Sequence, residues 1–109
     1  MKPIISRAEV ALDYPDKTYM GIFEHESRYA VDATAEAFII KFEHHGAERK
    51  TVDIHVAHML FAHILEDLAE LMQRQPPMDE MHADAILESL AKLKGALSHA
   101  HAKKAKRRA

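Results

Sequence analysis

Apolar and polar residues alternate along the first half of the chain, which is the pattern of β-strands. Ala8, Val10 and Leu12 share one side of an extended chain, and Arg7 and Glu9 lie on the other. The segments that follow this period of two are 4–13, 18–24, 27–33 and 36–44. The links between them are short, whereas a parallel crossover needs about a dozen residues or more. The pattern therefore predicts an antiparallel meander of 3–4 strands.

Turn residues separate the predicted strands. Residues 14–17 predict a tight turn, because Pro15 fixes φ at a value that turns require. Gly21 lies inside a strand and indicates a bulge. Gly46 follows the last strand and is expected to supply the positive φ of a turn. Residues 32–37 contain neither glycine nor proline, so a helical turn is possible there as well as a loop between strands.

The second half of the chain changes to a helical period. Thr51 is predicted to cap a first helix, since its hydroxyl can accept a hydrogen bond from a free N–H of the first turn. Pro76-Pro77 ends this helix, and Asp79 caps a second helix that extends to about Ala100. The apolar stripe of the first helix is Ala57, Phe61, Ile64, Leu68 and Leu71. That of the second is Ile86, Leu90, Leu93, Leu97 and Ala100.

These elements predict an α+β fold. The N-terminal antiparallel meander is followed by a two-helix antiparallel hairpin, hinged at Pro76-Pro77 and packed on one face of the sheet. A chain of 109 residues and 12.4 kDa has room for one hydrophobic core and not for two. Residues 1–101 are therefore predicted to form a single α+β domain, and residues 102–109 a flexible basic tail.

Charge and composition narrow the class of protein. The whole chain carries −2, and the tail contributes +5, which leaves −7 for residues 1–102. The chain has nine histidines and no cysteine, so disulfides, thiolate zinc sites and cysteine nucleophiles are excluded. No apolar run approaches the roughly 20 residues of a membrane span, and none suits a secretory signal. A cytoplasmic location is expected.

The densest histidine cluster lies near the start of the predicted first helix. His55 and His58 are three residues apart, a spacing at which two imidazoles on a helix can bind one metal ion. His63 lies eight residues beyond His55, about 12 Å along a helix axis, which is too far for the same ion. The alternative interpretation is an exposed polar face of the helix.

Signatures of catalysis are absent from the sequence. There is no GxSxG elbow, no phosphate-binding loop and no dinucleotide-binding motif, and the chain has three glycines. Asp53 and His55, or His25 between Glu24 and Glu26, have the chemistry of acid–base pairs, although such groups usually lie at solvated caps and turns. We predict no enzyme and no cofactor, and the sequence identifies no small-molecule substrate.

The C-terminal charge run has two interpretations. It can contact phosphates and release counterions, or it can be a solubilising terminus that folds back on acidic helix faces. The acidic body opposes nucleic acid everywhere except at this run. Its residues are Lys103, Lys104, Lys106, Arg107 and Arg108.

The helices carry more apolar residues than contact with one sheet requires. A helix that is apolar on several sides is buried on several sides, either inside its own chain or against another. Methionines are common at adaptable interfaces as well as in cores. The residues predicted for an interaction surface are Met59, Leu65, Met72, Met78 and Met81.

Three functions are compatible with these observations. The first is a small, non-catalytic, cytoplasmic protein-interaction module that uses its helical hairpin to bind another protein or to form a homodimer. The second is a nucleic-acid-associated protein that uses the basic tail. The third is a histidine-dependent metal binder that uses His55 and His58.

Overall fold

The computed structural model describes the backbone of residues 1–74 and 78–108 and the side chains of residues 1–74 and 78–104. In this part of the chain six strands precede two helices, so the fold is α+β, as the sequence predicts. The helices are α1 (His58–Arg74) and α2 (Glu80–Arg108). The strands are β1 (Lys2–Pro3), β2 (Ala8–Asp13), β3 (Thr18–Phe23), β4 (Ser27–Ala33), β5 (Ala37–His44) and β6 (Lys50–Ala57).

The chain divides into two compact units, residues 1–68 and 69–109, and each is described by itself. The first unit contains the six strands and the first turns of α1. The second contains the end of α1 and the whole of α2. The sequence assigned residues 1–101 to a single domain, and that assignment stays a prediction.

The strands form two antiparallel sheets. The larger sheet has the order β1-β4-β5-β6, and β2 and β3 form a separate two-stranded sheet. β4, β5 and β6 are a meander, while β2 and β3 are a hairpin inserted between β1 and β4. Reciprocal backbone hydrogen bonds between Tyr14 and Lys17 close this hairpin, at the turn predicted from Pro15. The strands outnumber the predicted 3–4 because β1 and β6 join the larger sheet.

One face of the larger sheet is apolar across three strands. Val31 pairs with Ile40, Ile40 pairs with Ile54, and the side chains of paired residues lie on the same face. Phe23 at the end of β3 covers part of this face. It is fully buried, and its ring stacks on that of Phe42 with 5.6 Å between centroids. The core of residues 1–68 therefore includes the contact between the hairpin and the sheet.

The helix predicted over residues 51–57 is wrong. Thr51 does not cap a helix, because the chain stays extended through β6 and α1 begins at His58. β-branched side chains pack well on a pleated surface and lose rotamer freedom in a helix. β6 pairs with β5 along its whole length, which satisfies its backbone hydrogen bonds. The β-branched residues that face the core side alternate along it: Val52, Ile54 and Val56.

Two glycines act through their size and not through their backbone angles. Gly21 lies in a regular ladder with β2, so the predicted bulge is wrong, and a Cβ there would lie 3.0 Å from the ring of Phe23. Gly46 lacks the positive φ predicted for it. A Cβ at Gly46 would overlap the imidazole of His44. Among the described non-glycine residues, the positive φ of 57° belongs to Glu26.

The break between the helices lies where the sequence predicts it. α1 ends at Arg74 and α2 begins at Glu80, while Pro76-Pro77 lies outside the described residues. Asp79 caps α2, as predicted. Its Oδ1 accepts a hydrogen bond from the backbone N–H of His82 at 2.9 Å, which satisfies one of the free donors of the first turn.

α2 is longer than the sequence analysis predicted. It continues through Arg108, whereas the analysis ended it at about Ala100 and assigned residues 102–109 to a flexible tail. Alanine, lysine and arginine are strong helix formers, and they dominate this segment. Positive charge is also favoured near a helix C-terminus. The backbone of residues 102–108 is therefore helical.

Candidate interaction surface

α1 meets the larger sheet at its first turn. The ring of Phe61 lies 4.8 Å from that of Phe38, and the ring of His58 lies 4.6 Å from it. Phe61 is half-buried, whereas no residue of α1 is fully buried. The large apolar side chains of α1 beyond Phe61 are partly exposed, by 37–59%.

An apolar stripe runs along α1. Its exposed fractions range from 37% at Leu65 to 68% at Met59. Leucine, isoleucine and methionine are among the residues most often buried in folded proteins. α1 thus carries apolar area that its contact with the sheet does not cover. The stripe consists of Met59, Leu60, Ile64, Leu65, Leu68, Leu71 and Met72.

A second apolar stripe runs along α2. Its exposed fractions range from 37% at Leu93 to 71% at Met81. The stripe consists of Met81, Ile86, Leu87, Leu90, Leu93 and Leu97. We call the stripes of α1 and α2 the helical apolar surface.

Four of the five residues predicted for an interaction surface belong to the helical apolar surface. They are Met59, Leu65, Met72 and Met81. Met78 precedes α2 and is half-buried. The other leucines and isoleucines of this surface belong mostly to the stripes by which the sequence predicts that the hairpin packs on the sheet. Their four-three spacing was visible, but spacing shows which side of a helix is apolar and not what covers it.

The charges beside this surface are solvated. On α2, Lys92 Nζ lies 3.7 Å from Glu88 Oε1, and the two side chains are 78% and 74% exposed. An exposed pair of this kind contributes about 0.3–0.5 kcal/mol. The stripe of α2 therefore shares its helix with solvent-exposed charge, and interfaces commonly have polar residues at their rim.

The structure separates the two histidines of the predicted metal site. His55 lies in β6, on the face of the sheet opposite Val56 and its partner Phe38. His58 begins α1, with its ring against Phe38. The helical spacing that supported this site is therefore wrong. Within residues 1–74 and 78–104, no group of three or more histidine, aspartate or glutamate side chains is placed to hold a metal ion.

The predicted nucleic-acid residues lie in the last turns of α2. Lys103 and Lys104 are exposed. The backbone of Lys106, Arg107 and Arg108 is helical. Contact of these residues with nucleic acid stays a prediction.

A polar cluster lies where β4 begins and β5 ends. Ser27 is 3% exposed, and its Oγ lies 2.9 Å from Nδ1 of its cross-strand partner His44. The Ser27 hydroxyl donates to the carbonyl of His25 at 3.3 Å, so its oxygen can accept a hydrogen bond from His44 Nδ1–H. A serine beside a histidine suggests a nucleophile and its base, but the Ser27 hydroxyl is buried and is engaged both by the His25 carbonyl and by His44. We therefore assign the cluster a structural role in the sheet.

Replacing Ser27 with alanine is expected to lower the free energy of unfolding by about 1–2 kcal/mol, because His44 Nδ1 loses its part-buried partner. Urea unfolding at constant protein concentration measures the loss. Ser89→Ala is the matched control. Ser89 is exposed on α2 and donates to the Ala85 carbonyl, so we expect a change within about 0.5 kcal/mol. Equal effects of the two substitutions would contradict the structural role.

Comparison with known proteins gives no relative from which a function could be inferred. No protein-family model, curated protein or solved structure matches the chain. Over their described residues, neither α1 nor α2 combines the length and the apolar character that crossing a membrane requires. The helical apolar surface is therefore the candidate functional site.

Proposed function

We propose that this chain is a non-catalytic, cytoplasmic protein-interaction module that assembles with a second copy of itself through the helical apolar surface. The observation that carries the proposal is the exposure of thirteen large apolar side chains at helical spacing on α1 and α2. Soluble monomers rarely expose large contiguous apolar patches, and an exposed apolar stripe on a helix is a candidate interaction site.

The energy of covering these residues supports the proposal. Burying a leucine completely contributes about 1.5–3 kcal/mol relative to leaving it exposed. Leu60, Leu71 and Leu87 are 53%, 59% and 64% exposed, so each still has more than half of this stabilisation to gain. A second copy supplies the same apolar residues at the same spacing, and two-fold homodimers are the commonest oligomers.

The non-catalytic and cytoplasmic parts of the proposal have separate support. Ser27 and His44 are cross-strand partners in the sheet, and Ser27 is 3% exposed. This placement favours a structural role for the serine–histidine contact over a catalytic one. The absence of cysteine suits a reducing compartment, where disulfides do not contribute to stability.

Amide hydrogen exchange at several protein concentrations tests the assembly. We expect exchange from α1 and α2 to slow as the concentration rises, by up to about a hundredfold at a hundred times the dissociation constant. Amides of β4 and β5 lie within a paired sheet and serve as the internal control, with a smaller dependence on concentration. Exchange from both helices that does not depend on concentration would overturn the proposed self-assembly.

A further inference from the structure

The charges of α2 are divided between its two halves. Residues 80–91 contain three acidic residues and no lysine or arginine. Residues 92–108 contain seven lysines and arginines and no acidic residue. α2 is therefore a rod with a negative first half and a positive second half. The acidic residues are Glu80, Asp84 and Glu88, and the basic residues are Lys92, Lys94, Lys103, Lys104, Lys106, Arg107 and Arg108.

The end charges of this rod are available to a partner. Glu80 and Asp84 near one end, and Lys103 and Lys104 near the other, are exposed. None of the four forms an ion pair with a described residue of the chain. Charges that have no ion-pair partner among the described residues, on a helix that carries an apolar stripe, influence how a second helix aligns along it.

Four residues of the apolar stripe of α2 have a spacing that reads the same in both directions. Ile86, Leu90, Leu93 and Leu97 are separated by four, three and four residues, so the pattern is symmetric about a point between residues 91 and 92. An antiparallel copy therefore places Leu90 level with Leu93 and Ile86 level with Leu97. Spacings that alternate between three and four are those of paired helices. These four residues are 37–55% exposed in one chain.

We propose that α2 pairs with α2 of a second copy in the antiparallel orientation, centred between residues 91 and 92. This inference rests on the proposed self-assembly and specifies its helix and its direction. In this alignment Glu80 lies level with Lys103 of the other copy, and Asp84 with His99. Each negative half then runs beside a positive half, and the apolar stripes face each other.

The parallel orientation uses the same apolar residues but opposes the charges. Its alignment places the seven basic residues of one copy beside the seven of the other. The acidic halves are likewise set together. Like charges held side by side disfavour an alignment, and attraction between unlike charges favours its reverse. The division of charge along α2 therefore selects the antiparallel dimer.

Distances between spin labels on the two copies test the orientation. The chain has no cysteine, so Ala91→Cys or Ala102→Cys gives one labelling site per copy of the full-length chain. Both alanines are exposed and lie outside the apolar stripe. In the antiparallel dimer, residue 91 lies level with residue 92 of the other copy, so its counterpart is about 1.5 Å away along the axis, across helices about 8–10 Å apart. Residue 102 lies level with residue 81 of the other copy, which puts the two 102 labels about 30 Å apart along the axis.

Pulsed electron spin resonance on both variants, with sedimentation of the same samples, separates the outcomes. A short distance at 91 and a distance of about 30 Å at 102 support the antiparallel pairing. Short distances at both sites would show a parallel dimer and overturn the inference. A dimer with neither distance would also overturn it and leave the proposed function standing. A monomeric unlabelled chain at all concentrations would overturn the proposed function itself.

Salt dependence gives a second readout on the unaltered chain. Salt screens attraction and repulsion alike, with a Debye length of about 10 Å at 0.1 M. An antiparallel dimer should weaken as salt is raised, with a severalfold increase in its dissociation constant. A dissociation constant that falls with added salt would match the repulsion of the parallel dimer and overturn the antiparallel assignment.

Discussion

Replacing Leu90 with glutamine is expected to raise the dissociation constant of the dimer by about a thousandfold. Leu90 lies in the middle of the α2 stripe, level with Leu93 of the other copy in the alignment proposed above. It is 43% exposed in one chain, so the dimer is where its burial would be completed. The substitution leaves the charges of α2 unchanged and therefore tests the apolar contact alone.

The size of this effect follows from symmetry. Each dimer contains Leu90 twice, so every loss counts twice. At each site the dimer loses apolar burial and gains a side-chain amide that has no partner, at a combined cost of about 2 kcal/mol. Two sites give about 4 kcal/mol, and every 1.4 kcal/mol is tenfold in the dissociation constant.

Leu12→Gln is the matched control for Leu90→Gln. Leu12 lies in the β2–β3 hairpin, is 54% exposed and undergoes the same chemical change. Sedimentation velocity over a range of concentrations measures both dissociation constants. We expect the control to associate like the unaltered chain. If the two variants had equal dissociation constants, Leu90 would not be part of the interface.

Replacing Phe23 with alanine is expected to lower the free energy of unfolding by about 3–5 kcal/mol. Phe23 is fully buried, and its ring stacks on that of Phe42 across the contact between the hairpin and the larger sheet. Truncation removes this contact and leaves a cavity that the surrounding strands fill incompletely. Domains of this size are stable by about 5–15 kcal/mol, so the loss would be a large fraction of the total.

Urea unfolding of Phe23→Ala measures this loss, at a protein concentration held constant because dimerisation adds to apparent stability. Met20→Ala is the control on the same strand. Met20 is 64% exposed, and its truncation should cost less than about 1 kcal/mol. A loss for Phe23→Ala as small as that of the control would mean that the hairpin does not stabilise the sheet.

The strands and the helix cap could be predicted because local chemistry determines them. Period-two alternation located β2 to β5, and the turn at Pro15 closed the hairpin. Asp79 has a short carboxylate at the position from which it can bond the first turn, and the structure shows that bond. Each of these features depends on residues that are close together in the sequence.

The strand period of β6 is present in the sequence but was outweighed by a helix signal. Val52, Ile54 and Val56 alternate with polar residues, which is the period of a strand, whereas threonine is favoured as a helix cap as well as in a strand. The pairing with β5, which is separated from β6 by residues 45–49, decides for the strand. The error also produced the metal prediction, because His55 and His58 are one turn apart only if both are helical.

The exposure of the apolar stripes on α1 and α2 could not be predicted from the sequence. The spacing of Leu90, Leu93 and Leu97 identifies an apolar side of a helix, but the same spacing serves an internal core and an interface between chains. In the structure these three residues are 37–55% exposed, so a single chain leaves them partly uncovered. The sequence thus provides the residues of the candidate surface, and the structure provides how much of each side chain remains exposed.

Sedimentation equilibrium of the unaltered chain tests the self-assembly most directly. One chain has a mass of 12.4 kDa. We predict a mass of twice this value at high protein concentration, which falls toward that of one chain on dilution as mass action requires. A mass of one chain at every concentration would contradict the proposal that the helical apolar surface binds a second copy.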